Sequence, residues 1–181
     1  MERKQALGLL KQFLKRENLI KHSLATEACM RNLARRLHQD EESWGLAGLL
    51  HDLDYEETKN DFSRHGLVAA QKLEKEGVAK EILDAIEAHS GLKERRTLME
   101  KALYAVDPLT GLIVASALMH PEKKLKALDT GFVLRRFGEK HFARGADREQ
   151  IRSCSEIGLS LEEFVALCLQ AMQEIAEELG L

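Results

Sequence analysis

The stretch Trp44-Gly45-Leu46-Ala47-Gly48-Leu49-Leu50 is apolar and runs straight into His51-Asp52. On a helix its apolar residues fall on all sides, so such a helix has no face to offer water and belongs at the centre of the fold. It then ends in an adjacent imidazole and carboxylate, two groups that are costly to bury unless paired or bound to a metal. Asp40 can cap this helix, with Glu41 and Glu42 in the first turn, where negative charge suits the helix dipole. Gly45 and Gly48 weaken it, which points to close approach of neighbouring helices.

The flanking chain supplies those neighbours. Ala6, Leu7, Leu10, Phe13 and Leu14 recur at helical spacing and predict a first helix over 2–16. Asn18 is a candidate cap for a second, running to about Leu37, with His22, Ala25, Cys29 and Leu33 on one face. Residues 54–61 read as a polar loop. Asp61 or Ser63 then caps a helix ending near Gly77, on which His65, Val68 and Ala69 share a face. Lys80 to His89 forms the next. A long helical pattern covers 97–119, with a kink or restart expected at Pro108, just after Asp107. Short helices are expected at 122–128 and 130–137. Asp147 caps one to about Glu156, and Ser160 caps a last helix to Leu179, with Glu163 at the capping-box position. No repeat or linker interrupts the 181 residues, so the chain reads as a single all-α domain.

Two prolines and these long periodic segments argue against a many-turned β fold. The net charge of −3 provides no global basic field for nucleic acid. Cys29, Cys154 and Cys168 are widely spaced and form no CxxC pair, which excludes zinc-ribbon and redox-motif readings. Free thiols and the lack of an apolar leader predict a cytoplasmic protein, and no apolar stretch reaches the roughly 20 residues that span a bilayer.

The inward-facing imidazoles and carboxylates, in chain order, are His22, His51, Asp52, His65, His89 and Asp107. Each lies on or at the end of an expected helix, and helical bundles build metal sites by projecting such groups into the core. Mixed nitrogen and oxygen donors suit manganese, iron, cobalt, nickel or zinc. Six donors are enough for two ions that share a carboxylate. Asp54 is either a partner for a ligand histidine or a loop residue. His38, His120 and His141 stand in polar or loop contexts outside the set.

The order His22, His51-Asp52, Asp107 resembles the HD-domain superfamily of metal-dependent phosphohydrolases, over about residues 18–115. His65 in Ser63-Arg64-His65-Gly66 and His89 in Ala85-Ile86-Glu87-Ala88-His89 resemble the additional histidines of its binuclear members. The chain as a whole resembles a small prokaryotic family of HD hydrolases in which Asp107-Pro108-Leu109-Thr110-Gly111 recurs. That resemblance implies an HD-like helical bundle with a C-terminal helical extension over 116–181. It implies one or two divalent ions, magnesium included among the choices. His22, His51, Asp52 and Asp107 would hold the first, and Asp52 would bridge to a second on His65 and His89. It also implies hydrolysis of a small phosphate ester, such as a nucleotide, by metal-activated hydroxide, with Asp52 as the central catalytic residue. Arg135, Arg136, Lys140, Arg144 and Arg148 are the basic residues available to hold phosphate. Leu53-Asp54-Tyr55 stands where many members carry Ile-Gly-Lys, so a phosphate-binding lysine is missing there. Oxygen-dependent cleavage at two irons and non-catalytic nucleotide binding are the alternatives on the same site.

Overall fold

The computed structural model describes residues 1–181, and every regular element in it is helical. The α-helices are α1 (Arg3–Phe13), α2 (Glu17–Arg36), α3 (Glu41–Leu50), α4 (Tyr55–Thr58), α5 (Leu67–Lys75), α6 (Lys80–His89), α7 (Leu98–Met119), α8 (Thr130–Gly138), α9 (Arg148–Arg152), α10 (Leu161–Glu174) and α11 (Ala176–Leu179). Their apolar faces meet in one cluster of 47 buried residues that runs from Ala6 to Leu179.

Helix α3 lies at the middle of this cluster. Its cap is Asp40, whose side chain accepts from the Ser43 amide at 2.7 Å, and residues 44–50 are all buried. The reason it carries Gly48 is visible at its crossing with α2. A Cβ there would stand 2.8 Å from the Thr26 carbonyl oxygen and 3.0 Å from the Glu27 Cα, both of them backbone. At this crossing Glu27, itself buried, binds Arg3 at 2.6 Å and Arg31 at 3.0 Å. The C-terminal helices close over the same core. Asn32 of α2 donates to the Leu167 carbonyl of α10 at 2.8 Å, and Gln173 donates to the carbonyls of Leu125 and Leu128.

Helix α7 corrects two expectations. It runs unbroken through Pro108. Proline lacks an N–H, so the carbonyl four residues back, on Tyr104, loses its helical donor. Gln150 of α9 replaces it, donating to that oxygen at 2.8 Å. By length and composition α7 is also long and apolar enough to cross a membrane, contrary to the sequence expectation. In the bundle, 56% of its apolar window is buried.

Other boundaries moved for local reasons. α1 stops at Phe13, and α2 starts at Glu17 after Arg16, leaving Asn18 inside the helix. The 54–61 segment contains α4. Neither Asp61 nor Ser63 caps α5. Ser63 instead bonds Asp61 within a 3₁₀ turn over Phe62–Arg64, and Gly66 at φ 80° starts the helix. Only the 3₁₀ turn Leu125–Ala127 forms within 122–128, and the helix after Asp147 gives way to a 3₁₀ turn at Ser153–Ile157. Ser160 does cap α10, accepting from the Glu163 amide, but the Glu163 carboxylate turns outward to Arg36 at 2.8 Å. The final helix breaks at Ile175.

Candidate metal centre

Six side chains from separate parts of the bundle point at one another. His22 comes from the second turn of α2, His51 and Asp52 from the turn that ends α3, and His65 from the turn before α5. His89 is the last residue of α6, and Asp107 sits mid-α7. Asp52 is central. Its Oδ2 lies 3.5 Å from His22 Nε2. Its Oδ1 lies 3.2 Å from His65 Nε2 and 3.6 Å from the Nε2 atoms of both His51 and His89. Asp107 Oδ1 stands 3.0 Å from His22 Nε2 and 3.7 Å from His51 Nε2. Two groups have donor atoms close enough for one ion each: His22, His51 and Asp107, and His51, Asp52 and His89. The fold thus brings all six sequence candidates together.

Hydrogen bonds on the far side of each ring decide what these atoms can do. His51 Nδ1 donates to the Gly48 carbonyl at 2.8 Å, and His89 Nδ1 to the Ile86 carbonyl at 2.5 Å. His65 Nδ1 donates to Asp54 at 2.8 Å. Thr110 Oγ1 gives its proton to the Asp107 carbonyl at 2.9 Å, so its oxygen accepts from His22 Nδ1 at 3.0 Å. All four Nδ1 atoms therefore carry hydrogen, and all four Nε2 lone pairs face inward. Nε2 pairs approach to 3.1 Å, His22 with His51 and His65 with His89. Lone pairs that close call for a cation between them. This donor set fits divalent metal.

Without metal, protons must serve. Burial alone would push His51 down, but the carboxylates of Asp52 and Asp107 hold it up to about 9. His65 is likewise held up to about 9 against its burial by Asp52 and Asp54. Burial favours the neutral acid at Asp52 and Asp107, yet the surrounding imidazoles hold both below the usual carboxylate range. The His contributions are raised shifts, so they stabilise the metal-free fold fully below pH 6.5 and vanish as pH rises through about 9. The carboxylate contributions are depressed shifts, present above about 3.8 and lost as acid protonates them. The metal-free chain is therefore expected to lose on the order of 3 kcal/mol between pH 6.5 and 9 from His51 alone. Metal replaces those protons and should abolish the loss. Thermal melts across that window, with and without added manganese, check this, and identical pH slopes would contradict it.

Asp54 is buried and fully used. Besides His65, it accepts from the amides of Gly66 and Ala69, both at 2.9 Å, and so ties the start of α5 to the turn that carries Asp52. Gly66 is required there, because its φ of 80° is left-handed and a Cβ would meet the Ile86 carbonyl at 2.7 Å. Asp54→Ala leaves the buried amides of Gly66 and Ala69 unmet and His65 Nδ1 with only Thr58 Oγ1 at 3.3 Å, and should cost about 2 kcal/mol or more. It should also weaken the His65 side of the centre by about 10–100-fold while sparing the His22 side. Metal stoichiometry against free-metal concentration reads this directly, and equal loss on both sides would refute it.

The centre opens on one side only. His65 and His89 are buried, whereas the side chains of His22 and Asp107 are 22% and 29% exposed. Beyond them lies a cavity of 320 Å³ whose walls include Pro108, Gly111 and Arg144. Arg144 alone of the five basic candidates lines it. Arg148 is a correction. Its guanidinium donates to five carbonyls, those of Phe137, Glu139, Phe142, Ala143 and Ala146, and has no N–H left for phosphate. It instead clasps the loop that presents Arg144. Arg136 pairs with Glu139 at 2.9 Å, Arg135 lies over Phe132, and Lys140 is exposed, none of them on the cavity wall.

The sequence reading missed the role of Thr110. Its signal was available, because Thr110 lies one helical turn after Asp107 with a hydroxyl suited to fixing a ring. The carbonyls of Gly48 and Ile86 carry no signal in side-chain identity.

The family model described as HD domain matches residues 19–125, more than half of the chain. The chain belongs to the HD-domain family. This is a superfamily of metal-dependent phosphohydrolases, and the matched span contains all six converging side chains. Among curated proteins the HD chain is 30% identical over 95 residues to Ribonuclease Y of Nitratidesulfovibrio vulgaris (strain DP4), covering 52% of this chain and 18% of that relative. It is 28% identical over 95 residues to Ribonuclease Y of Acidothermus cellulolyticus, covering 52% and 19%. The match thus spans less than a fifth of the length of these relatives. No solved structure matches the chain significantly.

Proposed function

We propose that this HD domain hydrolyses a phosphate ester, a nucleotide above all, at a two-ion centre. The observation that supports it is the inward convergence of four Nε2 lone pairs on a central carboxylate, Asp52, beside a cavity that carries an arginine. His22, His51, Asp52 and Asp107 would hold one ion, and Asp52, His65 and His89 the other. Imidazole nitrogens in this number favour first-row transition ions over magnesium. Such ions, when bound, supply Lewis acidity and bring the pKa of water toward ~7. The chain's own residues do the rest. Asp52 stays ionised because its imidazole neighbours hold it so, and it keeps the two halves in register. Thr110, Gly48, Ile86 and Asp54 lock the rings, so little reorganisation is needed on binding. Arg144, on the wall of that cavity, would orient phosphate, and its planar fork suits two oxygens at once.

The resemblance to Ribonuclease Y supports a second reading, hydrolysis of an RNA phosphodiester. One experiment covers both readings and the oxidative alternative. Protein purified without chelator is analysed for metal, then assayed with manganese, iron, cobalt and nickel on nucleoside monophosphates, sugar phosphates, cyclic nucleotides and short RNA. Oxygen uptake is followed for the iron form. Hydrolysis of one phosphate class with one or two metal equivalents is the expected result. No bound metal and no turnover on any substrate would sink the proposal, and oxygen consumption without phosphate release would replace it.

A further inference from the structure

A second cavity, of 360 Å³, adjoins the first and contributes no further metal-binding group. The two share His22 and Gly111. Ala25, Val114 and Leu179 give the second cavity apolar walls, while Asn18 and Lys21 give it a polar edge. Gly111 stands at the waist between them. It is exposed in the middle of α7, and a Cβ added there meets nothing within 4 Å. Interior helix glycine costs about 1 kcal/mol relative to alanine. At Gly48 a backbone contact explains that cost. At Gly111 no packing does, and what the missing side chain leaves is an open passage.

We propose that the second cavity receives the alcohol part of the substrate, a nucleoside, and that Gly111 keeps the way to it open. This rests on the phosphohydrolase reading above. The phosphate then lies in the first cavity, between Asp107 and Arg144. The 5′ link passes over Gly111 beside His22. The base lies against Ala25, Val114 and Leu179, with the Asn18 amide able to donate to and accept from its edge. Lys21 already pairs with Glu17 at 3.0 Å, and no other lysine or arginine lines this cavity. It therefore lacks the cationic track that a second phosphate or a continuing strand needs. The favoured ligand is a nucleoside monophosphate, not a polynucleotide.

The test uses the manganese-loaded full chain with Gly111→Leu and Gly111→Ala. Leucine is the better helix former, so melting temperature should hold or rise, and metal content should stay unchanged. Calorimetry should show affinity for inorganic phosphate falling far less than affinity for the nucleotide, because Gly111 borders the phosphate cavity as well. Affinity for adenosine 5′-monophosphate should fall about tenfold or more in Gly111→Leu, with a matching rise in KM, and much less in Gly111→Ala. Asn18→Ala should change the ranking among the four nucleoside monophosphates. The assignment is overturned if Gly111→Leu weakens phosphate and nucleotide equally, or neither. It is also overturned if the parent binds phosphate but no nucleoside monophosphate, or binds an oligoribonucleotide more tightly than the monomer. Binding that follows the expected pattern without turnover would sink hydrolysis and leave the cavity assigned. Turnover of sugar phosphates alone would do the reverse.

Discussion

Asp52→Ala is expected to strip the centre of metal and to lower phosphate release by about a thousandfold or more. The size follows from position. Asp52 is the one carboxylate within 3.6 Å of all four imidazoles, so its loss removes a donor from both halves at once. It also removes the charge that offsets any cations held there. Asp52→Asn keeps the shape and should bind metal weakly, with turnover still near the alanine level. Metal analysis after gel filtration, with circular dichroism to confirm the fold, reads the outcome. Retention of both equivalents in Asp52→Ala would show that Asp52 is not the shared ligand.

Gly48→Ala should be strongly damaging for the addition of a single methyl group. The added methyl would press on the backbone of Thr26 and Glu27, which cannot turn aside as a side chain can. Forcing apart a packed helix pair costs about 3 kcal/mol or more, or roughly 6–12 °C in a domain of this size. The harm extends to chemistry, because the Gly48 carbonyl anchors His51. As α3 moves from α2, His51 on one helix and His22 on the other move apart. Metal affinity should therefore fall along with melting temperature. Ala47→Gly, on the same buried helix, gives the comparison, because it weakens α3 without wedging it from α2. Equal metal loss in both variants would show that helix stability, and not the crossing, sets the site.

Much of the fold was legible because helical period and caps speak locally. Asp40, Asp147 and Ser160 each accept from an amide at the start of a helix, as their places in the sequence suggest. The six-residue cluster was legible for a related reason, since ligand types recur at inward positions of separate helices. What could not be read depends on partners far along the chain. Pro108 argues for a break, and only the approach of Gln150, 46 residues beyond Tyr104, removes the reason for one. The five basic residues of the C-terminal stretch look alike in sequence. Arg148 differs from Arg144 through the five carbonyls that its loop folds around it. The side-chain role of Glu163 was misplaced likewise, because Arg36 competes for it across helices.

The carbonyl that Pro108 leaves bare also bears on how this unit can be moved between proteins. The family match ends at residue 125, but the donor for Tyr104 lies at 150. A graft or fusion cut at the family boundary would carry every candidate ligand and still leave the helix under Asp107 with an unanswered oxygen. In this chain the transplantable piece is longer than the span shared with the family. The later helices hold in place a cluster of side chains they do not themselves supply.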